Sequence, residues 1–262
     1  SMDDLSAASI EDVASFFKTY YAPNNAVLAI SGDVNTAEAL AKVRKYFESI
    51  PSQPAPAPVV VDEKPQTAER RLVLDDALAR LPRIDIGYKI PAQGSKDDEA
   101  LSVLATVLSG GRSSRLYEAV VRQKQLSPGV SAGVLQQRSV GLFRFVGTLA
   151  PGKTMPDLEA AIWEEIERVK KGPIEAWEIE KARNSARRQL VGTLTSSLSR
   201  AILMAQDALY FDNPGRINTL PERIAAVTAA DVQRVANMYL VPERRTVVVT
   251  NPKPAAARGG VQ

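Results

Sequence analysis

The sequence contains no histidine and no cysteine among its 262 residues. Without imidazole it can build neither a Ser-His-Asp triad nor the histidine-ligated zinc sites that most zinc hydrolases use. Without thiol groups it has no disulfide and no thiolate-ligated metal. We therefore expect no catalytic residue and no metal ligand in this chain, and whatever hydrolysis or metal chemistry it joins must be completed by other residues.

Long apolar runs and a strong excess of one charge are also absent. No apolar segment reaches the roughly 20 residues of a membrane-crossing helix, so no membrane span is predicted. Lys and Arg exceed Asp and Glu only by 33 to 30, and no interleaved aromatic residues follow the basic helix around 181–188. We expect no nucleic-acid partner. The composition, 45% hydrophobic and 24% charged, is that of a globular protein.

An internal repeat is the most informative feature that is present. Two segments share one pattern: a polar cap, Ser9 or Thr228, opens an amphipathic helix, which is followed by Tyr-x-x-Pro and then by an apolar strand. The identical positions are 219 residues apart without a gap: Asp12 and Asp231, Tyr20 and Tyr239, Pro23 and Pro242. We interpret this repeat as a duplicated domain.

The repeat predicts how the chain is organised. Residues 1–50 are the C-terminal tail of a first domain, 51–68 are a proline-rich linker, 69–252 are the complete second domain, and 253–262 are a flexible tail. Pro51, Pro54, Pro56 and Pro58 favour an extended linker. By the same offset, about 150 residues of the first domain are expected upstream of this sequence.

Hydrophobic periodicity predicts strands and helices in separate groups. Strands are predicted at 70–74, 83–88, 130–136, 141–149 and 246–250, and helices at 96–109, 114–122, 156–171, 174–192, 196–210 and 228–239. The strands at 130–136 and 141–149 are expected to be antiparallel neighbours. This order indicates an α+β fold, an antiparallel sheet layered with helices.

A glycine-rich segment, Gly110-Gly111-Arg112-Ser113-Ser114-Arg115-Leu116-Tyr117, is the most specific motif. It lacks the Lys-Ser/Thr of a phosphate-binding loop, so we expect the glycines to cap one helix and a serine to cap the next. Other motifs accompany it: Tyr21-Ala-Pro23-Asn24-Asn25, Gly32-Asp33-Val34, Val121-Arg122-Gln-Lys-Gln-Leu126, Gly141-Leu142-Phe143, Glu178–Lys181 and the ending at 228–249. Over residues 9 to 252 the sequence resembles the insulinase/pitrilysin-type zinc metallopeptidases, relatives of mitochondrial processing peptidase.

This resemblance implies two similar α+β domains that enclose a peptide-sized chamber. In active members of that family the first domain binds zinc through His-x-x-Glu-His, and the second domain binds none. The resemblance therefore assigns this chain to the second-domain side, with no cofactor of its own. Zinc is expected in the upstream domain if the parent protein is active.

Arg122 is the one site residue that the resemblance carries over, as a substrate contact. The family's second domain can also offer a Tyr two residues after the Leu that matches Leu126, but that position is Pro128 here. Proline has neither a phenolic hydroxyl nor a backbone N–H, so it cannot stabilise an oxyanion. Arg122 alone also fits a structural role, pairing with a helix end or a surface carboxylate.

Two hypotheses on function remain open at this stage. The first is a catalytically silent portion of a zinc metalloendopeptidase that forms part of a peptide-enclosing chamber. The second is a non-catalytic scaffold or partner subunit of the same family. Both predict a peptide substrate, the missing N-terminal domain and a paired family subunit as partners, and a dimer is expected. Periplasmic or exported localisation is compatible with the resemblance and with the lack of cysteine, but the residues do not fix a compartment.

Overall fold

The computed structural model describes residues 1–61 and 63–253, in two compact units. The first unit comprises residues 1–61 and 189–220, and the second comprises 63–188 and 221–253. Residues 189–220 thus cluster with the N-terminal segment. The predicted domain boundaries stay a prediction, and the predicted flexible tail lies, from residue 254 onward, outside the described residues.

The elements follow the predicted alternation of strand and helix groups. The strands are β1 Arg70–Asp76, β2 Arg83–Ile90, β3 Val130–Leu135, β4 Gly141–Thr148 and β5 Arg245–Pro252. The α-helices are α1 Met2–Ala7, α2 Ile10–Tyr20, α3 Thr36–Phe47, α4 Asp98–Ser109, α5 Met155–Lys171, α6 Ala176–Leu194, α7 Ser197–Phe211, α8 Leu220–Ala226 and α9 Ala229–Tyr239. A π-helix covers Tyr117–Gln123, and short 3-10 helices cover Pro23–Asn25, Pro214–Thr219 and Pro242–Arg244.

The second unit is built on a five-stranded sheet of order β1-β5-β2-β4-β3. The pairs β5–β2, β2–β4 and β4–β3 are antiparallel, as the prediction for the neighbouring strands β3 and β4 requires. The α+β fold is thereby confirmed. One edge differs from the expected antiparallel sheet, because β1 pairs with β5 in parallel and makes the sheet mixed.

Alternation along the central strands decides which face of the sheet is buried. Every second residue of β2 is buried, from Ile84 through Ile86 and Tyr88 to Ile90, and Phe143 and Phe145 of β4 lie on the same face. Helices α4, α5 and α9 pack against one another beside these strands. The opposite face carries charged residues among apolar ones at the alternate positions of the same strands, so the second unit has one apolar and one more polar sheet face.

The repeat seen in the sequence is also a repeat of backbone conformation. Both copies open with a capping box, at Ser9 and at Thr228, whose ψ angles are both 166°. Both 11-residue helices end in a similar residue, Tyr21 at φ −97° and ψ 62° and Leu240 at φ −89° and ψ 56°. A 3-10 helix then begins at Pro23 and at Pro242. The two segments therefore share one local fold at the predicted offset.

The two copies of the repeat differ in the segment that follows the 3-10 helix, where a strand is predicted in both. Residues 245–252 form β5 between β1 and β2, whereas residues 26–31 belong to no strand. The predicted strand in the first copy is therefore wrong for this chain. A strand needs a neighbour to satisfy its backbone groups, and no described segment supplies one there.

The linker prediction agrees with the local structure. Residues 51–61 and 63–68 contain no described helix or strand. Within the first unit, the Asn24 side chain donates to the Gln53 carbonyl at 2.8 Å and accepts from its N–H at 3.1 Å. Within the second, the side-chain amide of the buried Gln66 donates to the Arg245 carbonyl at 2.7 Å. Each end of the linker is thus anchored to its own unit.

Candidate functional site

The glycine-rich segment forms a sharp turn between α4 and the π-helix. Gly110 caps α4 by donating its N–H to the Thr106 carbonyl at 2.7 Å, and a Cβ at Gly110 would lie only 2.4 Å from that oxygen. Gly111 has a φ of +85°, which favours glycine. The glycine capping prediction is confirmed. The serine prediction holds in position, because Ser114 directly precedes the first helical residue and its carbonyl accepts from the Glu118 N–H at 3.0 Å. Its hydroxyl, however, donates to the Gly111 carbonyl at 2.6 Å.

This turn delivers Arg115 into a buried ion pair that the sequence did not reveal. Arg115 donates to both carboxylate oxygens of Glu178, each at 2.7 Å, and to the Pro173 carbonyl at 2.8 Å. Glu178 also accepts from the backbone N–H of Glu175 at 2.9 Å. The sequence analysis names Glu178 only as part of a motif, and its partner Arg115 is 63 residues away. The specificity of the Ser-Ser-Arg motif was the available signal.

The electrostatics of the pair follow from this geometry. Burial raises the pKa of Glu178, but the hydrogen bonds from Arg115 and from the Glu175 N–H outweigh it and leave the pKa below its ordinary value. The hydrogen bond to Glu178 raises the pKa of Arg115. Both groups therefore stay charged at neutral pH and hold the turn to the start of α6.

Arg122 lies near the C-terminal end of the π-helix, where an ordinary helix had been predicted over 114–122. Its guanidinium contacts the Glu118 carboxylate at 3.2 Å within the same helix, and 72% of its side chain is exposed. π-helical turns are frequent at functional sites, because the extra residue reorients the following chain. The assignment of Arg122 as a substrate contact stays a prediction, with the guanidinium open to solvent.

The chain leaves the π-helix through a fixed loop that leads to Pro128. Gln125 has a φ of +50°, and the buried Leu126 donates its N–H to the Val120 carbonyl at 2.9 Å. Ser127 both accepts from the Gly129 N–H at 3.1 Å and donates to the Gly129 carbonyl at 2.6 Å. Pro128 therefore sits in a structured turn, without a hydroxyl group to offer.

The described residues do not provide a zinc site. Within 1–61 and 63–253, no three Asp or Glu side chains come close enough to hold a metal ion. Carboxylates alone are moreover a poor donor set for zinc, which prefers imidazole and thiolate ligands. The donor groups of this chain therefore do not fit a zinc ion. In the described part, no helix is both long and apolar enough to cross a membrane.

Comparison with known proteins places this geometry in context. The family described as the peptidase M16 inactive domain matches residues 7–186. The zinc protease PqqE of Helicobacter pylori is 29% identical over 254 residues, which cover 96% of this chain and 57% of that protein. A probable mitochondrial-processing peptidase subunit beta of Arabidopsis thaliana is 25% identical over 254 residues, covering 92% of this chain and 47% of that protein.

A solved structure agrees with these sequence matches. The crystal structure of a protease from Helicobacter pylori superposes with a TM-score of 0.88 at 29% identity, covering 96% of this chain and 61% of that chain. The chain thus spans about half the length of the curated relatives named above. The remaining half of those relatives has no counterpart in these 262 residues.

Proposed function

The chain belongs to the peptidase M16 family through its inactive domain, and we propose that it is the non-zinc-binding portion of a zinc metalloendopeptidase whose two halves enclose a peptide-binding chamber. The family membership confirms the resemblance to zinc peptidases that the sequence motifs suggested. Chamber formation, peptide binding and pairing with an N-terminal domain are the proposal.

One observation carries the proposal: the apolar face of the repeated helix is buried in the second copy and exposed in the first. In α9, Val232, Val235 and Ala236 are fully buried against the second unit. Their counterparts 219 positions earlier are exposed by 51% (Val13), 54% (Phe16) and 50% (Phe17). Large apolar side chains in register on one helix face require a partner surface.

The segment after α2 supports the same proposal. Val247 and Val249 of β5 are buried, while Leu28 and Ile30 at the matching positions are largely exposed. In the second unit this strand is completed by β2, which precedes it in the sequence. We therefore propose that an upstream strand of the parent protein completes residues 27–30 in the same way.

The polar face of the second unit's sheet is a suitable chamber wall. Asp85 is held there by Arg83 at 2.7 Å and by Nε of Arg144 at 2.9 Å, and burial raises its pKa less than these two arginines lower it. The neighbouring strand positions mix polar and apolar side chains that are half-exposed. A face of this kind can contact a peptide backbone and varied side chains without burying an unpaired charge.

The test compares the chain alone with the chain joined to its upstream sequence. Both are assayed for metal content after dialysis and for cleavage of a quenched fluorescent peptide, with and without a chelator. We expect the longer protein to hold about one zinc and to cleave the peptide in a chelator-sensitive manner. Zinc retention together with chelator-sensitive cleavage by the 262-residue chain itself would contradict the proposal.

A scaffold role is the second candidate, and Pro128 is the observation that favours it. The hydroxyl that the family's pattern would place at this position cannot come from proline, so this chain offers fewer groups to a reacting peptide. If the longer protein folds but neither binds zinc nor cleaves peptides, and instead assembles with another family subunit, the scaffold role is supported. A paired subunit would then supply the complementary residues.

A further inference from the structure

A cleft of about 360 Å³ opens within the second unit, between the glycine-rich turn and the segment that joins α5 to α6. Its ionisable lining residues are Glu118, Glu165, Glu175, Glu178, Arg115 and Arg168. Two further cations lie beside these residues, because Arg122 pairs with Glu118 and Lys181 donates to Ser113 Oγ. The charges of the cleft are therefore balanced overall, and any preference for a cationic ligand must come from an individual carboxylate.

Glu165 at the wall of this cleft has an unsatisfied oxygen. The residue is only 2% exposed, and its Oε1 accepts from Arg168 at 2.8 Å, but its Oε2 has no hydrogen-bond partner among the described residues. A buried carboxylate oxygen without a donor is costly and rarely retained without a purpose. The arrangement therefore calls for a donor that this part of the chain does not supply.

The existing partner of Glu165 lies at the surface. The Arg168 side chain is 68% exposed, whereas that of Glu165 is only 3% exposed. Arg168 can therefore rotate towards solvent, but the buried carboxylate then needs another cation in its place. The Arg115–Glu178 pair beneath the cleft is buried and bidentate, so it keeps the floor of the cleft in place.

Trp177 adds a surface for the aliphatic part of a ligand. Its ring is half-exposed at the rim, and the ammonium of Lys181 lies 5.9 Å from the ring centroid while donating to Ser113 Oγ at 2.8 Å. An indole ring of this kind packs against methylene groups and attracts a cation. Its position beside buried carboxylates fits the long stem and charged head of Arg or Lys.

We propose that this cleft binds a basic side chain of a peptide, with the cation at Oε2 of Glu165 and the side-chain stem against Trp177. The inference rests on the proposed peptide-binding function and deepens it, because it names the feature of a peptide that this chain recognises. A neutral amide could also donate to this oxygen, but a cation forms the stronger, charge-assisted hydrogen bond with a carboxylate.

The experiment uses the 262-residue chain and two labelled pentapeptides that differ only in a central arginine or citrulline. Affinity is measured by fluorescence anisotropy, and the site is located through the indole N–H resonances of the two tryptophans. We expect the arginine peptide to bind at least about tenfold more tightly and to shift the Trp177 resonance. The Trp163 resonance, from the partly buried ring beside Tyr88, should stay unchanged.

Variants separate a specific site from general charge attraction. Glu165→Gln should weaken the arginine peptide at least about tenfold, whereas Glu180→Gln removes the same charge from an exposed position of α6 and should bind as the parent chain does. Arg168→Gln should bind equally or more tightly, since it frees Glu165. Should Glu165→Gln fail to fold, Trp177→Ala tests the same cleft and should weaken binding several-fold.

Three results would overturn the inference: no binding of either peptide, equal binding of both peptides, or unchanged affinity in Glu165→Gln. All of these measurements are made without zinc and without the upstream sequence. A negative result in the peptide-binding experiment therefore does not contradict the chamber proposal. Likewise, a lack of zinc-dependent cleavage by the longer protein does not contradict the proposed cleft.

Discussion

The Arg115–Glu178 pair shows what a single residue does in this fold. The pair joins the turn after α4 to the start of α6, and its hydrogen bonds are bidentate, which fixes the geometry as well as the charge. Neither residue could be paired from the sequence alone, because 63 positions separate them. We expect this pair to dominate the local stability of the turn.

Breaking the pair on one side should be strongly destabilising. Glu178→Gln leaves a buried guanidinium without its counter-charge, and we expect a loss of about 3–5 kcal/mol in the free energy of unfolding. Urea denaturation followed by circular dichroism measures the change. The double variant Arg115→Met with Glu178→Leu is the control and should lose clearly less, because no charge is left buried. Equal losses in both would show that packing, not charge, holds the turn.

Acid should weaken the same contact. The pKa of Glu178 lies below its ordinary value of 4.5 in the folded chain, so the unfolded chain takes up this proton first as the pH falls. The stabilisation is complete above about pH 4.5 and is lost as the pH falls through the folded pKa. Urea titrations at several pH values should show this decline, and it should be smaller in the double apolar variant.

Arg122 provides a test of the family-derived substrate contact. Arg122→Ala should weaken peptide binding by the intact protein while leaving the thermal midpoint of this chain nearly unchanged, because the pair with Glu118 is exposed. Arg122→Lys is the matched control, since it keeps a cation at this position that can still pair with Glu118. If both variants bind peptide like the parent protein, Arg122 has only a structural role.

The helix-to-strand repeat shows which secondary-structure elements can be predicted from the sequence. Its helices, caps and prolines were predictable because they depend on local residues: Ser9 with Asp12 and Thr228 with Asp231 form the same capping box. The strand predicted at 27–30 does not form in this chain, because a strand depends on a distant neighbour. The π-helix at 117–123 was missed for a related reason, since its extra residue reflects packing and not periodicity.

Hydrogen exchange should separate the two copies of that element. The amides of 247–249 are held between β1 and β2 and should be strongly protected, whereas those of 27–30 should exchange rapidly in this chain. When the upstream sequence is present, residues 27–30 should gain protection by at least about a hundredfold. Exchange rates that stay high in the longer protein would show that no strand is added there.

The two units of the molecule differ in how much of their apolar surface is buried. The described core clusters almost entirely in the second unit, while the exposed large apolar residues concentrate in residues 1–61. The sequence accounts for this imbalance through its repeat if the first domain continues upstream, which stays a prediction. It could not predict that residues 189–220 cluster with the N-terminal segment, because their apolar positions do not specify a partner.

An exposed apolar face of this kind should make the isolated chain self-associate. Phe16 and Phe17 lie on α2 with about half of each ring in water, and burial of such area favours association at roughly 25 cal/mol per Å². We expect sedimentation velocity to show dimers or larger species that dissociate on dilution. Phe16→Ser with Phe17→Ser should raise the dissociation constant at least about tenfold.

Exposed apolar residues of the linker provide a control for this association experiment. Val59 and Val60 are also exposed, yet they lie outside the repeated helix and strand, so replacing both by serine should leave the association unchanged. Joining the upstream sequence should abolish association through α2, because that sequence would cover the face from within the same protein. A chain that stays monomeric at high concentration, or that associates equally in both double variants, would remove the main support for a missing partner on this face.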